Sequence, residues 1–193
     1  MSIRHSSELT PDWTGLMAAA RARAGFFTAE EAQTHHISPQ LLRYRVGKGW
    51  VRREMRGVYR FASASPTEHD ELVALWLWSG EDAVFCHATA LFLHDLSDAL
   101  PARVHMTVPP SWRYARFAKP GHVVLHVDAL PEGDVQWLGY IPITTPARTI
   151  TDCIEAHVDA SWIEQAITQA RGRKLITPAV ANRLHRARRE GAA

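Results

Sequence analysis

The residues best suited to chemistry in this chain are cations gathered in one short stretch. Between Ser38 and Arg60 stand Arg43, Arg45, Lys48, Arg52, Arg53, Arg56 and Arg60, against the single acid Glu54. A guanidinium group presents a fork of N–H donors that fits phosphate oxygens and the major-groove edge of guanine. Gln40 and Tyr44 stand beside Arg43 and add side chains able to hydrogen-bond to bases. The chemistry implied is recognition of a polyanion rather than bond-breaking.

The eleven histidines raise a second prospect, metal binding, but their spacing argues against it. His122 and His126 flank Val-Val-Leu, which reads as strand, and four strand residues span roughly 13 Å, too far to share one ion. His87 and His94 fall two turns apart on one helix and would need further ligands from elsewhere. No residue pattern matches a serine-hydrolase elbow, a Walker A loop, a dinucleotide fingerprint or the E-x-K of a metal-dependent nuclease. Asp95, Asp98, Asp128, Asp152 and Glu155 are left as acids that only the fold can bring together. Cys86 and Cys153 sit in apolar company and read as buried small hydrophobes. No catalytic residue, metal ligand or cofactor is assigned.

The cations need elements to hold them. Trp13 to Ala24 carries apolar residues at helical spacing and stops at Gly25, and Phe26 and Phe27 then enter a turn. Thr28 with Glu31 forms a capping box for a helix from Ala29 to about His35. Ser38 as cap and Pro39 at the first position start a third helix, which runs to Val46 before Gly47 and Gly49. On a helical wheel Leu41, Leu42 and Val46 form one side, and Gln40, Arg43, Tyr44 and Gly47 the other. Arg45 falls between the leucines, so it is expected to snorkel to the edge and reach a phosphate or an acid. From Trp50 to Arg60 the chain reads as two short strands around a turn. Three short helices and a basic hairpin make a winged helix-turn-helix, with the third helix suited to the roughly 12 Å major groove and the wing to phosphates. This predicts DNA contacts from Gln40, Arg43, Tyr44, Lys48, Arg52, Arg53 and Arg56.

After a short linker at residues 62–66 the pattern changes. Thr67 is expected to cap a buried helix from Glu68 to Ser79; Ala83 to Cys86 reads as a strand and Ala88 to Leu96 as a second buried helix. Strands follow at Val104 to Val108, Val123 to Val127 and Gly139 to Ile143, with the basic, aromatic loop Trp112 to Phe117 between the first two. Thr145 and Pro146 start a helix to about Ala156, and helices from Trp162 to about Arg171 and from Pro178 to Arg189 complete the chain. The expected fold class is α+β: a winged helix-turn-helix over residues 1–61, then a mixed α/β domain over 67–193 with a small sheet flanked by helices.

Composition sets the outer limits. The chain has 193 residues, a net charge of +2 and 46% hydrophobic residues, enough for a packed core and far from a polycation or an acidic disordered tail. Its charge alternates in blocks: +6 from Ser38 to Arg60, −7 from Phe61 to Ala99 and +6 again from Arg171 onward. The last block is either a second phosphate-binding element or a solvated final helix. Two cysteines 67 positions apart exclude a disulfide scaffold. No apolar run follows a basic start and no stretch approaches a membrane span, so a cytoplasmic protein is expected.

Four segments in order carry a resemblance: Arg56-Gly57-Val58-Tyr59-Arg60 at the end of the wing, the run Phe85 to Leu96, Met106-Thr107-Val108-Pro109, and Thr144 to Asp152. Together they resemble the AbiEi family, the abortive-infection antitoxins of type IV toxin-antitoxin systems, over roughly Trp13 to Ile154. The resemblance implies an N-terminal winged helix that binds inverted repeats in double-stranded DNA of its own promoter and represses it. It also implies a second domain that counters a nucleotidyltransferase-like toxin without a stable complex. A non-enzyme is expected, monomeric in solution or dimeric on DNA. Two other readings remain: a nuclease-like enzyme using the winged helix for substrate delivery, motivated by His87, His94 and Asp95, or a solitary transcription factor whose second domain binds a protein.

Overall fold

The computed structural model describes residues 10–98, 100–114 and 118–191. The chain divides into two compact units, Met1–Glu81 and Asp82–Ala193. The fold is α+β, a winged helix-turn-helix followed by a mixed α/β unit.

In the first unit, α1 (Trp13–Arg21), α2 (Ala29–Thr34) and α3 (Pro39–Gly47) accompany a sheet of β1 (Phe26–Thr28), β2 (Val51–Met55) and β3 (Val58–Phe61). The order is β1-β3-β2, antiparallel throughout. Each helix starts where a side chain accepts from an orphan N–H: Asp12 from Gly15, Thr28 from Glu31, Ser38 from Leu41. The Thr28–Glu31 capping box is complete in both directions. Every element then contributes to one core: Leu16 from α1, Phe27 from β1, Ala32 from α2, Leu42 from α3, Val51 from β2 and Phe61 from β3.

Two expectations are corrected here. The first helix ends at Arg21 rather than Ala24, because Ala24 and Gly25 both take positive φ, 51° and 85°. That turn sends Phe26 and Phe27 into a strand instead of a turn, paired in register with Arg60 and Tyr59. Gly25 is required there twice over, by its φ and because a Cβ would lie 2.4 Å from that of Ala64.

The next helix, α4 (Asp70–Trp78), belongs to this unit, and residues 62–66 lie within it rather than between the units. Arg60 accounts for this continuity. It is 3% exposed, and its guanidinium meets Asp70 Oδ2 at 2.5 Å, Ser65 O at 2.6 Å and Ala24 O at 3.2 Å while lying 4.8 Å from the centre of the Phe26 ring. Thr67 does not cap α4 as expected. Asp70 Oδ1 instead accepts from the Thr67 N–H and hydroxyl, and His69 takes the cap position without a side-chain bond.

The second unit is built on a five-stranded sheet of β4 (Val84–Phe85), β5 (Val104–Val108), β6 (Val123–Val127), β7 (Val135–Leu138) and β8 (Ile141–Thr144), in the order β6-β5-β4-β8-β7. β5 and β6 run parallel from Val104↔Val123 to Val108↔Val127, and β4 is parallel to β8 but antiparallel to β5. The expected strand from Gly139 is in fact a hairpin. Gly139, at φ 57°, sits in the turn, and β7 before it was not foreseen. Helices α5 (His87–Leu93), α6 (Pro146–Glu155), α7 (Ala160–Gly172) and α8 (Pro178–Glu190) share a core that includes Leu91, Ile150, Cys153, Ile167 and Leu184.

Arg60→Ala strips a donor from Asp70 and from two carbonyls at once, so it is expected to destabilise the protein by about 3 kcal/mol. Arg52→Ala, on the exposed side of the wing, should stay within about 0.5 kcal/mol. Urea unfolding checks both, and equal midpoints for the two variants would contradict this role for Arg60.

Candidate nucleic-acid interface

Helix α3 and the β2–β3 hairpin hold all seven of the expected contact residues on solvent: Gln40, Arg43 and Tyr44 on α3, Lys48 at its C-cap, Arg52 and Arg53 on β2, and Arg56 at the turn are each exposed. Leu42 alone of the helix is fully buried, with Leu41 and Val46 half-buried at its flanks. The helix is therefore anchored by a narrow apolar stripe and offers a wide polar face.

Local bonds fix how those side chains leave the surface. Arg43 Nε donates to Pro39 O at 3.2 Å, one turn back, and this ties down the stem while its terminal nitrogens stay available. Lys48 Nζ lies 5.6 Å from the centre of the Tyr44 ring, a cation–π pair that keeps the ring and the charge together. Arg43 and Arg53 line one cleft of about 300 Å³ with Gln33, Val46 and Tyr59, which places a cation of the helix and one of the wing on a shared surface. Glu54 lies 3.9 Å from Arg52 Nε and offsets part of its charge.

Two cations of the basic block point elsewhere. Arg60 is the buried strut described above. Arg45 pairs with no acid among the described residues, one of the two partners expected for it; its guanidinium lies 4.1 Å from the centre of the Trp50 ring and 5.4 Å from that of Trp13. Trp50 is itself 63% exposed, so the stacked cation also covers indole that water would otherwise wet. The outward charge of the block is thus carried by Arg43, Lys48, Arg52, Arg53 and Arg56.

In the second unit the residues that motivated an enzyme do not assemble as a group. His94 is buried and its Nε2 donates to Thr144 O at 2.7 Å, while Asp95 is exposed and takes a positive φ of 52°. The carbonyls of both residues accept from Arg173 Nη1, at 2.8 and 3.0 Å. His87 turns to other partners, the rings of His126 and His105, at centroid distances of 3.7 and 5.7 Å. Burial holds His87, His105 and His126 below the ordinary histidine range, His87 down to about 3. Of the scattered acids, Asp128 and Asp152 do converge, with Asp134, but on Arg148, at 2.5, 2.6 and 3.3 Å. The hydrogen bond from Arg148 lowers the Asp128 pKa, whereas burial raises that of Asp152.

Sequence reasoning missed His105 as the neighbour of His126. The two meet through the parallel β5–β6 register, in which Thr107 faces His126 and His105 lies two residues along on the same side of the strand, a pairing that no spacing along the chain signals. In the loop between those strands, Trp112 donates to Asp82 Oδ2 at 2.9 Å and Tyr114 is 87% exposed; residues 115–117 lie outside the described residues. On α8, Arg188 pairs with Glu164 at 2.9 Å, whereas Arg183, Arg186 and Arg189 are exposed.

Residues 16–62 match the sequence model of the family described as "Transcriptional regulator, AbiEi antitoxin". The match spans α1 to the end of the wing, and it agrees with the resemblance drawn from the motifs; the segments at 85–96, 106–109 and 144–152 lie outside it. No curated protein matches the chain. The fold is similar to that of the crystal structure of the RV2827C protein from Mycobacterium tuberculosis, with a TM-score of 0.56 and 15% identity, covering 96% of this chain and 79% of that one. No helix among the described residues is long and apolar enough to cross a membrane.

The placement of His94 has a pH consequence. Burial lowers its pKa in the folded chain, so the unfolded chain takes up the proton first. The stabilising contribution is complete above about pH 6.5 and declines as pH falls from there towards the lowered folded value. His94→Gln, with an uncharged donor, is expected to lose less of its urea midpoint between about pH 7 and about pH 5 than the parent does. Identical losses would place the pH dependence in other groups.

Proposed function

We propose that this protein is a DNA-binding transcriptional regulator of the AbiEi antitoxin type, in which α3 reads bases in the major groove and the β2–β3 wing grips the flanking phosphates. The observation that carries this reading is the set of five exposed cations, Arg43, Lys48, Arg52, Arg53 and Arg56, on a capped helix and its wing. The match of residues 16–62 to an antitoxin transcriptional-regulator family supports it. The target in this reading is an inverted repeat in the protein's own promoter. A two-fold symmetric operator calls for two copies on DNA, one per half-site. Its physiological role is repression of a toxin-antitoxin operon in the cytoplasm, and opposition to a nucleotidyltransferase-like toxin without stable association.

Within the interface the roles divide. Gln40, Arg43 and Tyr44 leave the exposed face of α3 and are the candidates for base contact. Lys48, Arg52, Arg53 and Arg56 frame that face and are the candidates for phosphate contact.

Fluorescence anisotropy with upstream DNA across a salt series tests this. With four phosphate-facing cations, the slope of log affinity against log salt should be negative but no steeper than about −3.6 per bound copy. Arg43→Ala is expected to relax sequence preference, with a loss of about 1–3 kcal/mol on the preferred site only, whereas Arg52→Ala weakens all sequences alike and lowers the slope by about 1. A flat salt dependence, or indistinguishable behaviour of the two variants, would overturn the assignment.

A further inference from the structure

The second unit holds a cluster that the regulator reading leaves unused. Cys86 ends the segment that follows β4, His87 begins α5, and His126 lies on β6. The Cys86 Sγ and one ring nitrogen from each histidine all lie within 4.8 Å of one another. Cys86 is fully buried and His87 is 8% exposed, with Sγ 3.1 Å from His87 Nδ1. Segments nearly forty residues apart in sequence thus place one thiol and two imidazoles around a common point.

Two further features fit a site. His126 Nε2 and His105 Nδ1 are 3.0 Å apart, so one proton shared between two uncharged imidazoles fixes the ring of His126 from behind, the arrangement by which outer partners orient metal-binding histidines. His87 takes a φ of 50° although it is not glycine, a conformation that a β-carbon disfavours and that surrounding structure must hold. Its ring stacks on that of His126, with centroids 3.7 Å apart and planes 13° apart.

We infer that Cys86, His87 and His126 form a binding site for a borderline-soft transition-metal ion of the Zn²⁺ type, with His105 as the residue that positions His126. The donor set selects the ion. One thiolate and two imidazoles suit zinc or copper and do not suit magnesium or calcium, which require oxygen ligands. Ligands at about 2.3 Å for sulfur and about 2.0–2.1 Å for nitrogen around a tetrahedral ion lie between 3 and 4 Å from one another by geometry, inside the spacing seen here. Binding requires the stacked rings to tilt so that their lone pairs converge, and it releases the Cys86 thiol proton to solvent. Three protein ligands leave a fourth position for water or an exogenous group. The strand span that separates His122 from His126 does not limit this site, because the partner of His126 is the start of α5.

The test is titration of the full chain with Co²⁺, whose thiolate charge-transfer band and tetrahedral d–d bands report a sulfur-containing site, followed by displacement with Zn²⁺. One equivalent is expected to bind and to be displaced. Cys86→Ser should abolish the charge-transfer band, whereas Cys153→Ser, which removes the other buried thiol, should retain it. His105→Ala should weaken affinity by about 10- to 100-fold with the band intact. His126→Gln, at a half-buried strand position, serves as the ligand variant should Cys86→Ser fail to fold, and is expected to lose binding while keeping its circular dichroism. Absence of a band in the parent chain, its persistence in folded Cys86→Ser or His126→Gln, or its loss in folded Cys153→Ser would overturn the site. None of these outcomes bears on DNA binding, which is read separately by anisotropy.

Discussion

The winged-helix unit depends on one buried guanidinium. Arg60 is inserted where β3, the turn before β1 and the segment leading into α4 meet, and it satisfies a carboxylate and two carbonyl oxygens while a phenyl ring covers its face. A cation so enclosed is tolerable only when its donors are used, and each donor it uses fixes a different part of the chain. The turn at Ala24–Gly25 positions β1, β1 closes the sheet, and the sheet in turn carries both the wing and the ends of the segment that contains α3. A residue that looks in sequence like one more member of a basic surface is therefore the support on which that surface is assembled.

Arg45 makes the same point in a gentler form. Its position between two leucines on α3 is awkward for a charge, and two indole rings resolve the difficulty by accepting the cation on their faces. The basic block thus separates into cations that hold the unit together and cations that face outward. Only the second group is available to a polyanion, and it lies along one helix and one strand rather than over the whole surface.

Much of the fold was legible because its signals are local. Ser38 with Pro39, Thr28 with Glu31, and Thr177 with Pro178 each announce a helix within four residues, and each helix begins where those residues say. The strands Val104–Val108 and Val123–Val127 were equally plain from their β-branched residues. What was missed is non-local. Three-residue β1 is a strand only because Arg60 and Tyr59 lie opposite it, and β7 only because Gly139 folds it back on β8. The interface residues could be named from a wheel and a charge count, whereas the grouping of Cys86, His87, His105 and His126 depends on a sheet register that no spacing along the chain encodes.

The strand order β1-β3-β2 has a further meaning for the segment between β1 and β2. Residues 29–50, which contain α2 and α3, leave the sheet from one side of β3 and return on its other side. The hairpin of β2 and β3 is local and closes cheaply, but β1 joins only after a loop of about thirty residues has been brought round, with the loop-closure entropy that entails. The helix-turn-helix is therefore a handle clasped at both ends by a single strand. Its conformational freedom is surrendered during folding, so a ligand met later finds the helix already ordered and need not supply that entropy itself.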